Sequence, residues 1–200
     1  MKLPETWYRG DDVVAQSRDL LGKYLFTRID GVITGGYIVE TEAYNGVADR
    51  ASHAYGNRLT PRTKTMFMQG GIAYVYLCYG IHEMFNIVTS VEGRPKAILI
   101  RAIEPTEGLD TMLLRRHLVA LKPNITSGPG SVAKALGISR VINAISLNSD
   151  TIWVEDRGLT FPNESIVSVP RVGVDYAGDD ALLPYRFYVK GNPFVSKPNK

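Results

Sequence analysis

The 200-residue chain has a single cysteine, Cys78, three histidines and no long apolar run. One cysteine excludes an internal disulfide and any cysteine-rich zinc site, and it suits a reducing cytoplasm. His53, His82 and His117 form no HxxxH or HExxH spacing, so neither a metal nor another cofactor is expected. No stretch approaches the roughly 20 apolar residues of a membrane span, and the N-terminus MKLPETWYRGDD lacks the apolar core of a signal peptide. No serine sits in a GxSxG elbow, and GPGSVAKALG lacks the GKS or GKT of a nucleotide-binding loop. The most local absence is of acid: no Asp or Glu occurs from Thr111 through Ser149.

That acid-free stretch carries Arg115, Arg116, Lys122, Lys134 and Arg140, five positive charges against a net of +3 for the whole chain. Segregated charge of this kind suits a polyanionic partner such as nucleic acid, and an ordinary solvated face equally. What the chain does have is an average globular composition, 44% hydrophobic and 22% charged, enough for one domain spanning 1–200.

The periodicity predicts mixed α/β (α+β) structure. Asp11 and Asp12 read as caps of a helix beginning at Val13. YIVETEAY alternates as a strand, placing Glu40, Glu42 and Tyr44 on one face and Val39, Thr41 and Ala43 on the other. Thr60-Pro61 opens a short helix through Met68. IAYVYLCYGIHEMFNIVTS reads as a hairpin turning near Tyr79-Gly80. KAILIRAIEP is a central strand stopped at Glu104-Pro105. Helices follow at Leu109 to Leu121 and Ser131 to Leu136, then short strands in IWVED, SIVSVPRVGV and YRFYVKG.

Two features stand out chemically. Arg101 interrupts an apolar strand and needs a carboxylate partner to offset desolvation, for which Glu40 and Glu42 are candidates. Tyr44, Tyr74, Tyr76 and Tyr79 group beside them, as a core stripe or as a platform for stacking on a planar base. On these residues alone, a structural ion pair, a nucleic-acid-binding module, and a sugar hydrolase using Glu40 and Glu42 as its carboxylate pair all remain open.

The stretch VETEAYNGVADRASHAYGNRLTPRTKTMFMQGGIAYVYLCYG, with Asn86, IRAIEP, SGPGSVAKAL and VPRVGVDYAGDDALLPYRFYVKGNPFVS, resembles the alkyladenine (3-methyladenine) DNA glycosylase family across nearly the whole chain. The resemblance implies a single compact domain with a curved, mainly antiparallel sheet and a protruding tyrosine-tipped β-hairpin. It implies a monomeric base-excision repair enzyme, acting on double-stranded DNA that contains damaged purines. Carried over, Glu42 matches the base that activates the attacking water, and Arg101 the arginine that helps hold it. Tyr44, Tyr76 and His53 match the pocket around a flipped base, and Asn86 the side chain that crowds the 2-amino group of guanine. Tyr79 matches the wedge that fills the gap in the stack, and the five basic residues of the acid-free stretch would follow the phosphate backbone. The chain departs from the family pattern at Ser131, where lysine is usual, and at GDDALL, which replaces a tryptophan-containing stretch.

Overall fold

The computed structural model describes residues 1–196. Short helices α1 (Glu5–Tyr8) and α2 (Val13–Asp19) lead into β1 (Tyr24–Ile29) and β2 (Val32–Tyr44). A loop with single 3-10 turns, the last at Lys64–Phe67, precedes the hairpin β3 (Ala73–Cys78) and β4 (His82–Thr89), then β5 (Lys96–Glu107). Helices α3 (Leu109–Arg116) and α4 (Pro129–Leu136) follow, then strands β6 (Ile152–Glu155), β7 (Ile166–Val169) and β8 (Arg186–Val189).

All eight strands join one antiparallel sheet in the order β3-β4-β5-β2-β1-β6, with β8 bridging β2 to β7. Strand β2 organises it. Its first half pairs with β1, Glu40–Glu42 pair with β8, and its other edge runs along β5. The β2–β5 register skips Val39 on one strand and Arg101 on the other, because Ile38 pairs with Ile103, Glu40 with Ala102 and Thr41 with Ile100. Such bulges sharpen the local twist and re-aim side chains, which curls the sheet at Arg101.

The inner side of the sheet packs on α2 and α4 through Val13, Leu20, Ile38, Val75, Phe85, Ile100, Val132 and Leu136. A smaller cluster of Ala54, Met66, Tyr74, Val88 and Ala97 lies between β3–β5 and the 46–69 loop. The outer side of the central strands is therefore covered by loops, and that is where a cleft opens.

Four sequence expectations are corrected. Strand β5 runs through Pro105 to Glu107, since Pro105 sits opposite Gly36, where any Cβ would fall 2.1 Å from the Glu104 carbonyl. The glycine admits the irregular pairing that proline forces. Helix α3 ends at Arg116 because His117 adopts the left-handed conformation and closes the last turn. Pro61 lies in a turn rather than a helix, and the segment from Pro61 to Met68 holds a 3-10 turn at Lys64–Phe67 in place of the expected helix. Asp12 alone caps α2, accepting from the amides of Val14 and Ala15. Asp11 instead meets Ser90 Oγ, Arg94 and Lys96, which hold its carboxyl down at about 2.

Candidate active site

The alternation of β2 and the register of its neighbours build the site directly. Glu42 pairs with Leu99, Leu99 with Asn86, and Asn86 with Tyr74, one row across four strands whose side chains share the outer face. Two residues along β3 on that same face is Tyr76, and two along β2 is Tyr44. The row floors a cavity of about 750 Å³. Its lining includes Glu42, Tyr44, His53, Tyr76, Tyr79, Asn86 and Arg101, so the fold brings seven expected residues together.

Glu42 is fully buried. Its Oε1 accepts from the Val172 amide at 2.8 Å and lies 3.2 Å from Arg101 Nη1, and its Oε2 accepts from the Tyr44 hydroxyl at 2.9 Å. With one donor on Oε2, that oxygen keeps a lone pair for a further donor such as water. Burial, and then the negative charge of Glu42, raise Tyr44 well above the ordinary tyrosine range, so it is a donor at neutral pH.

Glu40 does a different job. Its Oε1 accepts from Arg101 Nε at 2.8 Å, Arg186 Nε at 2.7 Å and Ser196 Oγ at 2.8 Å, and its Oε2 from the Ser196 amide at 2.6 Å. It is fully buried and does not line the cavity. Two glutamates and two arginines thus neutralise one another at the bulge, with the Arg101 guanidinium bridging Glu40 to Glu42. A carboxylate pair working together on a sugar would need both groups on the cleft wall, and of the two only Glu42 lines it.

The aromatic lining is held from behind. Tyr76 lies edge-to-face with His53, ring centroids 4.7 Å apart, and tilted against Tyr74 at 5.3 Å. Tyr74 is buried in the cavity floor, and its hydroxyl, 3.0 Å from His53 Nδ1, supports the histidine; burial pushes it up to about 12. Burial, then the cations Arg62 and Arg58, lower His53 to about 4, so it is neutral at physiological pH. Asn86 is buried and donates from Nδ2 to the Tyr74 carbonyl at 3.2 Å.

Tyr79 projects from the tip of the β3–β4 hairpin, 88% exposed. The turn closes with the Ile81 amide on the Cys78 carbonyl, and Tyr79 and Gly80 have φ of 50° and 71°. A left-handed tyrosine costs roughly 1–2 kcal/mol, so the tip carries its ring at the expense of local stability.

The five basic residues are placed apart from this lining. Arg115 turns inward, its Nη1 donating to Thr34 Oγ1 and the Ala135 carbonyl, each at 3.2 Å. Arg116 Nη2 donates to the Asn124 carbonyl, and Arg140 pairs with Glu83 on the hairpin. Lys122 and Lys134 are exposed. The acid-free stretch reaches the cleft elsewhere, through Ser127–Ser131 at the start of α4, where Gly130 packs against His82.

The chain matches the family model described as methylpurine-DNA glycosylase (MPG) over residues 6–193. The chain belongs to the methylpurine-DNA glycosylase family. Proteins of Bacillus mycoides (strain KBAB4) and Bacillus cereus (strain G9842), each named "Putative 3-methyladenine DNA glycosylase", are 42% identical to it. Each alignment covers 98% of this chain and 100% of the relative.

Within this family member, sequence reasoning missed several parts of the site. Arg171 is buried in a bidentate pair with Asp49 (2.5 and 2.9 Å), its guanidinium 5.0 Å from the Tyr44 ring centroid and 5.3 Å from that of Tyr185. The adjacent Val172 supplies the amide on Glu42, so the pair anchors both a wall and the carboxylate. Arg186 and Ser196, which complete the Glu40 cluster, were missed too. Arg62 lies 4.7 Å from the Tyr76 ring centroid. The signal for Arg171 was an arginine inside VPRVGV, but its partner Asp49 stands 122 residues away. Among the described residues, no helix is long and apolar enough to cross a membrane, and no His/Cys/Asp/Glu cluster is fit to hold a metal ion.

Proposed function

We propose that this protein removes alkylated purines such as 3-methyladenine from double-stranded DNA, rotating the damaged nucleotide into the cleft and hydrolysing its N-glycosidic bond with water activated by Glu42. The observation that carries this reading is a fully buried carboxylate, fixed by Arg101, Val172 and Tyr44, at the floor of an aromatic cleft large enough for a base. Cavities of this volume are typical of small-molecule sites.

In the proposed step the water oxygen bonds to C1′ of the sugar while the bond from C1′ to the base nitrogen breaks. The bonding electrons leave with the base and cancel the positive charge of an N3- or N7-alkylated purine, so the leaving group needs no acid. The water proton passes to Glu42, whose charge also stabilises the cation developing on the sugar. Tyr44 and Tyr76 stack on the base and Asn86 narrows the floor. Tyr79 enters the vacated stack, offsetting part of the few kcal/mol that extrusion costs. Exposed Lys122 and Lys134, with Arg116 and Arg140, follow the phosphates.

Glu42→Gln tests the reading: release of 3-methyladenine from methylated duplex DNA should fall by about 10²–10⁴-fold while lesion binding persists. Release at the parent rate refutes the assignment.

A further inference from the structure

The arginines in and around the lining of the cleft have their charges compensated differently. Arg101 meets Glu40 and Glu42, and Arg171 meets Asp49. Arg62 stands alone. Its guanidinium carbon lies 4.7 Å from the Tyr76 ring centroid and its Nη2 3.3 Å from His53 Nε2, yet among the described residues it forms no salt bridge within 4.0 Å. The loop that carries it is fixed, because Thr63 Oγ1 donates to the Arg58 carbonyl and accepts from the Thr60 amide, each at 2.8 Å.

An aromatic face attracts a cation through its quadrupole, and Tyr76 already engages one. A positively charged base resting on the same wall meets the field of Arg62 as well as the attraction of the ring. At roughly 7 Å and an effective dielectric between that of a protein surface and water, the repulsion amounts to about three- to tenfold in affinity. An uncharged base of the same shape feels none of it. Burial, with Arg62 and Arg58 beside it, also keeps the His53 ring unprotonated, so no second cation from the histidine adds to this wall.

We propose that Arg62 is a specificity-determining residue: its uncompensated charge beside Tyr76 restrains the preference of the cleft for cationic alkylated bases and opens it to uncharged damaged bases of purine shape. The inference rests on the glycosylase reading above. It predicts what happens when the charge is removed and the stem kept.

Arg62→Met and Arg62→Lys, both at an exposed position, are compared with the parent in two measurements on one duplex sequence. The first is the half-saturating enzyme concentration for single-turnover release of 7-methylguanine, a cationic base. The second is the Kd for the same duplex carrying 3-deaza-3-methyladenine, an uncharged base that is not cleaved. In Arg62→Met the first should fall three- to tenfold relative to the second, while Arg62→Lys stays within about twofold of the parent. Equal shifts in both measurements, or a relative shift toward the uncharged base, overturn the proposal and leave Arg62 a general DNA or structural contact. A parent enzyme that releases no 7-methylguanine or 3-methyladenine overturns the glycosylase reading itself.

Discussion

Replacing Arg171 with Met should destabilise the fold strongly while leaving Glu42 and Arg101 intact. The side chains of Arg171 and Asp49 are 0% and 2% exposed, so neither charge has water to fall back on. Removing one partner of such a pair strands the other, at about 3–5 kcal/mol. Asp49 retains the amides of Asn45 and Ala51, at 2.9 and 3.0 Å, which places its own loss at the low end. The carbonyls of Ala43 and Asp180 lose their Arg171 donors as well, which moves the total back toward about 4 kcal/mol. For a chain of this length that corresponds to roughly 8–16 °C in Tm. Urea unfolding followed by Trp7 and Trp153 fluorescence measures it. The double variant with Asp49→Asn should recover about 2–3 kcal/mol relative to additivity, since the pair then disappears together. A loss below about 1 kcal/mol in Arg171→Met, or strict additivity in the cycle, would refute the view that this pair anchors the wall.

Tyr79→Ser should leave stability within about 0.5 kcal/mol, because the ring is exposed, yet weaken binding to duplex DNA with an abasic site; unchanged affinity in a gel-shift titration removes the wedge role. Lys134→Gln should reduce the slope of log K against log salt by about 0.9, the loss of one phosphate contact, whereas Arg115→Met should lower Tm and leave DNA affinity at the parent level below that Tm. His53 titrates near 4 in the folded protein and near 6.5 unfolded, so between those values the unfolded state binds more protons and stability rises with pH, by at most about 1.4 kcal/mol per unit. His53→Gln should flatten the urea-unfolding profile across that window, and a profile as steep as the parent's assigns the dependence to other groups.

The strands were legible because their signal is local. YIVETEAY alternates, and alternation alone puts Glu40, Glu42 and Tyr44 on one face, as β2 does. An arginine inside ILIRAI demands a carboxylate, and both candidates answer it. Helix ends were less legible, since α3 stops where His117 turns left-handed, a conformation no propensity announces. Less visible still was everything set by long-range closure: the bulge that isolates Arg101, the Arg171–Asp49 pair, and Ser196 reaching back to Glu40 across 156 residues.

Glu40 and Glu42 show the limit most sharply, for they are the same residue type, two positions apart, on the same face of one strand. No property of the strand separates a structural carboxylate from a reactive one. The difference is supplied by what packs against each. Two arginines and both donors of Ser196 surround Glu40 and leave it no place on the cleft wall. Glu42 receives one guanidinium nitrogen, one amide and one hydroxyl, and faces the cavity. Charge compensation, rather than proximity to the tyrosines, likewise distinguishes Arg101 and Arg171 from Arg62. In this sheet, function follows from which charges the fold has left unspent.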